Sequence, residues 1–100
     1  MAKVPQLSPR VQGQIGKARL PTIGPEPFIP SLGTDSKNRQ CLRRAAVQHG
    51  QKAGQIGYLD TAGRIWIRDR AHAGVPDHWD VQENGGQYYF RVDDNGNVIP

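Results

Sequence analysis

The sequence predicts an α+β fold in which one N-terminal helix packs on a small, twisted antiparallel sheet of four to five strands, arranged as a meander. Two observations support this prediction. From residue 55 onward, short segments of alternating apolar and polar residues are separated by Gly-bearing turns, which is typical of strands and hairpins. Before them, residues 36–48 carry apolar side chains at helical spacing.

The first 35 residues differ in composition from the rest. They contain six of the eight prolines and no periodic apolar pattern long enough to bury a face. We therefore expect residues 1–35 to form a Pro-rich, basic, disordered linker and residues 36–100 to form the compact domain. Because a unit of about 65 residues has only a marginal core, a partner protein or a longer parent chain is expected.

Charge is divided unevenly between the two halves of the chain. Residues 1–55 contain nine Lys and Arg and two acids, a net charge of +7, whereas residues 56–100 contain four Arg and seven acids, a net charge of −3. A basic segment favours approach to a polyanion such as RNA, although it is also compatible with a solvated linker. We find no secretory signal and no apolar run near 20 residues, so we expect no membrane contact.

The predicted helix begins after Asp35 or Ser36, either of which can cap it, and ends near Gln48. Its apolar stripe is narrow, so it must pack on a sheet. Cys41 lies within this segment, where we expect a small buried thiol. A single cysteine also excludes a disulfide framework and a Cys-based zinc site.

The remaining elements follow in order as strands and turns. We expect strands over 55–59, 64–68, 77–82, 87–92 and 97–99, joined by turns at 60–63, 84–86 and 93–96 and by a loop over 69–76. Four aromatic side chains should supply most of the core: Trp66, Trp79, Tyr88 and Phe90.

The hairpin around Asn84-Gly85-Gly86 is the main candidate for a functional surface. Period-two alternation places its apolar residues on one face and its polar residues on the other, the latter being His78, Asp80, Gln82, Gln87, Tyr89 and Arg91. A turn at 84–85 pairs Asp80 with Tyr89, whereas a turn at 85–86 pairs Asp80 with Arg91. The polar side chains share one face in both registers.

These residue types fit cleavage of RNA by its own 2′-OH, which needs a base, an acid and cationic donors for the pentacoordinate phosphate. The catalytic candidates cluster within about 20 positions: Arg70, His72, His78, Asp80 and Arg91. Tyr89 or Trp66 could stack an unpaired base, and Lys52 and Arg68 are candidate phosphate contacts. Each residue alone could instead be an ordinary cap or cross-strand ion-pair partner.

We expect no metal and no cofactor. No nucleotide-binding loop or hydrolase elbow motif occurs. His72, His78 and Asp80 could hold a metal ion only if the loop over 69–76 placed His72 beside the hairpin.

Four segments, 57–60, 63–66, 78–82 and 91–93, carry a resemblance to a known group. They resemble the small C-terminal toxin domains of bacterial polymorphic and contact-dependent inhibition systems, many of which are predicted ribonucleases. The layout is also similar to that of the ribosome-cleaving nuclease colicins, in which a Trp-Asp-Ser-Gln-His-Gly strand supplies active-site residues. The resemblance gives Asp80 the acidic active-site position and Gln82 the neighbouring polar one. Glu83 stands where the colicin pattern has His, so the base is His78, His72 or Glu83.

The resemblance implies a metal-independent endoribonuclease that cuts tRNA or rRNA and has a cognate immunity protein. It also implies secretion from a producing bacterium as part of a larger protein, with action in the target-cell cytoplasm. The alternative is a non-catalytic module of a secreted bacterial protein that binds RNA or a protein through the same face.

Overall fold

The computed structural model describes residues 6–70 and 74–100. Within these residues the chain forms one α-helix and eight strands, which confirms the α+β class but exceeds the predicted four to five strands. The elements are α1 (Pro9–Ala18), β1 (Leu32–Thr34), β2 (Gln40–Leu42), β3 (Arg44–Ala46), β4 (Ile56–Leu59), β5 (Ile65–Asp69), β6 (His78–Glu83), β7 (Tyr88–Val92) and β8 (Val98–Ile99).

The strands form two antiparallel sheets. β1 and β2 make a two-stranded sheet, and β3 to β8 make a six-stranded sheet in which every strand pairs with the next strand along the chain. The last five strands correspond to the five segments predicted from residue 55 onward. No helix of the described residues is both long and apolar enough to cross a membrane.

The predicted helix over 36–48 is wrong, because the chain there forms β2 and β3. Asp35 does not cap a helix: its Oδ1 accepts hydrogen bonds from the backbone N–H groups of Lys37 and Arg39, both at 2.9 Å. Asn38 adopts a φ of 60°, which reverses the chain and is incompatible with helix continuation. Pairing with β1 and β4 then outweighs the helical spacing of the apolar residues. Cys41 is consequently a half-buried strand residue.

Residues 6–35 are also part of the fold, which corrects the expectation of a disordered linker. Helix α1 begins at Pro9, whose missing N–H suits the first helical position, and the Oγ of Ser8 caps it by accepting from the N–H of Val11 at 3.2 Å. Val11 and Ile15 lie four residues apart on one face and are both buried. This stripe is too short to be recognised in the sequence, but it suffices because it packs in one core with Trp66 and Trp79 of the large sheet.

The main core lies between α1, the segment over 20–30 and one face of the large sheet. Trp66 lies at its centre. The centroid of the Trp66 ring lies 5.3 Å from that of Phe28 and 6.3 Å from that of Trp79, and both pairs pack edge to face. Trp79 is tied to the helix end by a 3.1 Å hydrogen bond from its Nε1 to the carbonyl of Arg19. The prediction that Tyr88 belongs to the core is wrong, because Tyr88 pairs with Glu83 at the end of the sheet and is 65% exposed.

Three turns of the sheets share one construction, which begins with Asp35, Asp60 or Asp93. In each, Oδ1 of the aspartate accepts hydrogen bonds from the backbone N–H groups two and four residues later. The residue three positions later has a positive φ in every case: Asn38, Gly63 and Gly96. The backbone N–H of Arg39 holds the pKa of Asp35 below its usual value, and that of Asn97 does the same for the pKa of Asp93.

Candidate active site

The face of the large sheet opposite the main core carries a cavity of about 450 Å³. Strands β5, β6 and β7 form its floor, and the loop that follows β3 forms one wall. Most of its lining residues have polar side chains; the lining comprises Gly50, Gln51, Lys52, Asp69, Asp80, Gln82, Gly86, Gln87, Tyr89 and Arg91.

The wall loop is fastened to the connection between β6 and β7. The N–H groups of Gln48 and His49 both donate to the carbonyl of Gly85 at 2.8 Å. Gly86 has a φ of 108°, and a Cβ there would lie 2.2 Å from the carbonyl oxygen of His49. Only glycine permits this approach, which brings Lys52 over the sheet. Val47 anchors the start of the loop in a second, smaller core with Ile65 and Ile67.

The register of the hairpin is the second of the two predicted ones. Asp80 lies opposite Arg91 and Gln82 lies opposite Tyr89. The pairing is centred on Gly85-Gly86, with a four-residue connection that includes a 3₁₀ turn over Asn84–Gly86. The polar side chains therefore share the cavity face, as alternation requires.

Five side chains of the described residues converge at the bottom of the cavity, and we call them the Asp80 cluster: Lys52, Asp69, His78, Asp80 and Arg91. The Nε2 atom of His78 lies 3.4 Å from Asp80 Oδ1 and 3.3 Å from Asp69 Oδ2. On the other side of the carboxylate, Lys52 Nζ lies 3.2 Å from Asp80 Oδ2 and 4.0 Å from Asp69 Oδ2. Arg91 Nε lies 3.9 Å from Asp80 Oδ1.

Burial divides the cluster into inner and outer groups. His78 is fully buried and Asp80 is 3% exposed, whereas Lys52 and Arg91 reach solvent. The Nδ1 atom of His78 lies 2.8 Å from the carbonyl oxygen of Pro76, and because a carbonyl can only accept, Nδ1 carries a hydrogen. The other ring nitrogen, Nε2, faces the carboxylate oxygens of Asp69 and Asp80. A proton or another cation between Nε2 and these oxygens would stabilise this arrangement.

Three predicted site residues lie on the wrong side of the sheet. Trp66, Arg68 and Glu83 alternate with Ile67, Asp69 and Gln82, and their side chains therefore point away from the cavity. This corrects the expectation that Glu83 could be the base and that Arg68 contacts phosphate. Arg68 instead pairs with Asp94 and lies 5.2 Å from the Trp79 ring.

Trp66 cannot stack a base, which corrects a further expectation. It has no exposed surface, and its Nε1 donates to Asp60 Oδ2 at 2.9 Å. Tyr89, the other stacking candidate, is 59% exposed and lines the cavity. Arg70 is exposed after β5 and is not among the residues that line the cavity, and the predicted site residue His72 lies outside the described residues.

Sequence reasoning missed Asp69 and underestimated Lys52. Asp69 follows Ile65 and Ile67 at every second position along β5, so the three side chains lie on the same face as Asp80. The sequence would have placed Asp69 on the cavity face once the direction of the Ile67 side chain was known. Lys52 reaches the cluster through a loop whose path no local pattern indicates.

No family model matches the chain, and neither a curated protein nor a solved structure matches it significantly. The resemblance to bacterial toxin domains therefore stays a prediction.

Proposed function

We propose that the chain is a bacterial toxin domain that acts as a metal-independent endoribonuclease, cutting tRNA or rRNA by attack of the 2′-OH. One observation carries the proposal: a buried carboxylate, Asp80, faces a cavity of nucleotide size while an imidazole and two cations surround it. Buried charges with convergent acid and base partners in a cleft are typical of catalytic sites.

Asp80 is the base in this proposal. It lines the cavity, whereas the ring of His78 is fully buried and cannot contact a substrate. The Asp80 carboxylate takes the 2′-OH proton, and the 2′-oxygen attacks phosphorus to form a cyclic phosphate. His78 is a positioning residue: its Nε2, held by the bond from Nδ1 to Pro76, orients the carboxylate and can share the proton it receives.

Lys52 and Arg91 act on the phosphate. As the bond from phosphorus to the 5′-oxygen breaks, the Lys52 ammonium gives a proton to the leaving oxygen. The Arg91 guanidinium stabilises the additional negative charge of the pentacoordinate phosphate. Both cations lie within 4 Å of Asp80, so a scissile phosphate next to the base also meets them.

Tyr89, Gln82 and Gln87 are the proposed substrate contacts. The exposed Tyr89 ring at the cavity offers a stacking surface for an unpaired base. The two glutamine amides line the same cavity and offer donors and acceptors for a base edge. A single-stranded loop or end of a structured RNA fits this arrangement.

On the toxin resemblance we further propose a cognate immunity protein and delivery within a larger secreted bacterial protein into the target-cell cytoplasm. The immunity protein should present acidic groups to Arg70 and Arg91, since complementary charge steers and orients association.

Incubation of the purified protein with total bacterial RNA in EDTA tests the proposed activity. Discrete fragments are expected, and Asp80→Asn should lower the cleavage rate by about 10²- to 10⁴-fold. Asp94→Asn is the matched control, because Asp94 is exposed and pairs with Arg68 on the other face of the sheet; its rate should not change. Melting curves verify that both variants fold. Intact RNA with the wild-type protein refutes the proposal, and retarded but uncut RNA supports the binding-module alternative.

A further inference from the structure

We propose that Asp69, His78 and Asp80 form a binding site for a zinc ion, and that zinc bound there switches the ribonuclease off. The inhibitory half rests on the proposed function, whereas the zinc site itself does not. The sequence suggested a metal ion only through His72; the structure supplies Asp69 as the third ligand instead.

The spacing of the three donor atoms fits zinc. His78 Nε2 lies 3.3 Å from Asp69 Oδ2 and 3.4 Å from Asp80 Oδ1, and one donor atom from each residue lies within 4.8 Å of the other two. Tetrahedral zinc with bonds of about 2.0–2.1 Å separates its ligands by about 3.3–3.4 Å. The site can therefore close on the ion with small side-chain movements.

The chemistry of the donors points the same way. The hydrogen on Nδ1 of His78 is directed at the Pro76 carbonyl at 2.8 Å, so the neutral ring presents the lone pair of Nε2 to the two carboxylates. A ligating histidine usually carries such an outer hydrogen bond. Oδ1 of Asp80 has no hydrogen-bond donor among the described residues although Asp80 is only 3% exposed. Lys52 pairs with the other oxygen, Oδ2, so Oδ1 is a buried acceptor that a cation would satisfy.

The donor set favours zinc over magnesium or calcium. An imidazole nitrogen with two carboxylates matches the ligands that zinc takes in sites with one open position. Magnesium needs near-octahedral oxygen coordination and retains several waters, which a buried imidazole does not suit. Asp69 and Asp80 both line the cavity, so the fourth position of the ion would face it.

Zinc at this position removes both proposed proton-transfer groups. Coordination occupies the Asp80 lone pair that would accept the 2′-OH proton. The two positive charges of the ion also repel the Lys52 ammonium, which lies 3.2 Å from Asp80 and 4.0 Å from Asp69. Cleavage should therefore fall in proportion to zinc occupancy.

The test measures zinc binding and RNA cleavage separately on the full chain. Competition with a chromophoric zinc chelator should show one equivalent bound to the wild-type protein, and Asp69→Asn should weaken binding by at least about tenfold. Asp94→Asn, the matched control, should bind as wild type. Lys52→Met should bind zinc at least as tightly, because it removes a competing cation and no ligand. Magnesium at the same concentration should not compete.

The outcomes distinguish the two proposals. Absence of saturable zinc binding, or equal binding by the Asp69 and Asp94 variants, overturns the site whatever the RNA result. One equivalent of zinc with full or increased cleavage overturns the inhibitory half. Zinc binding by a protein that leaves RNA intact in EDTA supports the site, refutes the ribonuclease, and with it refutes the inhibition.

Discussion

Replacing Asp60 by Asn should destabilise the protein far more than the same replacement at Asp93, although both residues begin the same type of turn. Oδ1 of Asp60 accepts from the N–H groups of Ala62 and Arg64 at 3.0 and 2.8 Å, and an Asn oxygen preserves both bonds. Oδ2 accepts from Arg64 Nε at 2.8 Å and from Trp66 Nε1 at 2.9 Å. The Asn amide would present an NH₂ group to these two donors.

The cost follows from what the two donors lose. The indole N–H of Trp66 becomes a buried donor without an acceptor, which costs about 1–3 kcal/mol. The Arg64 guanidinium loses its ion pair with Asp60 but keeps its 3.2 Å contact with Glu26. We therefore expect the lost ion pair to cost about 1 kcal/mol of unfolding free energy. The free energy of unfolding should fall by about 3 kcal/mol, which lowers Tm by about 15 °C in a domain of this size.

Asp93→Asn is the matched control. Its Oδ1 keeps the 2.9 Å bonds from the N–H groups of Asn95 and Asn97. Among the described residues, its Oδ2 accepts only from Nδ2 of Asn97, at 3.5 Å. The loss should stay below about 1 kcal/mol. Urea unfolding followed by tryptophan fluorescence gives both values. If the two variants differ by less than about 1 kcal/mol, the account of Asp60 as a buried acceptor for two side chains is refuted.

Three further predictions concern pH, substrate contacts and the proposed acid. Hydrogen bonds from its own turn hold the pKa of the Asp93 carboxyl below 3.8, so the unfolded chain binds a proton at Asp93 more tightly than the folded chain does. The stabilisation that Asp93 contributes is therefore complete above about pH 4 and is lost as pH falls through the lower pKa of the folded state. Asp93→Asn should reduce the fall in Tm at acid pH, as measured by melting curves recorded against pH. Tyr89→Ala should weaken RNA binding by about 1–3 kcal/mol in a gel-shift titration. Tyr88 is similarly exposed but lies on the other face of the sheet, so Tyr88→Ala should not weaken binding. Equal losses in the two variants would contradict the role of Tyr89 as a stacking surface. Lys52→Met should lower cleavage by about 10²-fold, whereas the exposed Lys37→Met should leave it unchanged; wild-type rates in both would remove Lys52 from the mechanism.

The strands from residue 55 onward were predictable because their signals are local. Alternation identifies each strand, and glycines such as Gly63 and Gly96 with positive φ identify the turns between them. The first part of the chain was not predictable in this way. Val11 and Ile15 are two buried residues in a stretch bounded by prolines, and their burial depends on Trp79, more than 60 positions later.

The residues of the candidate site were predictable in strands where apolar and polar side chains alternate, because that alternation assigns each residue to one face of the sheet. They were not predictable elsewhere. Asp80 and Arg91 share a face because each lies in a strand with one apolar and one polar side. Strand β5 is buried on both faces, with Ile65, Trp66 and Ile67 all in cores, so its sequence does not reveal which side carries Trp66. The wrong assignment of Trp66 follows from this ambiguity.

The sequential order of the large sheet has a consequence for how the protein assembles. Each of its strands pairs with its chain neighbour, so every hairpin can form from contacts close in sequence, which favours fast folding. Helix α1 and the segment over 20–30 depend instead on distant contacts: the bond from Trp79 to Arg19 closes a loop of 60 residues, and the backbone N–H of Glu26 donates to the carbonyl of Gly96. The helix should therefore dock after the large sheet has formed and detach before that sheet unfolds. Its detachment would uncover the tryptophan face of the sheet while the Asp80 cluster, on the opposite face, stays assembled.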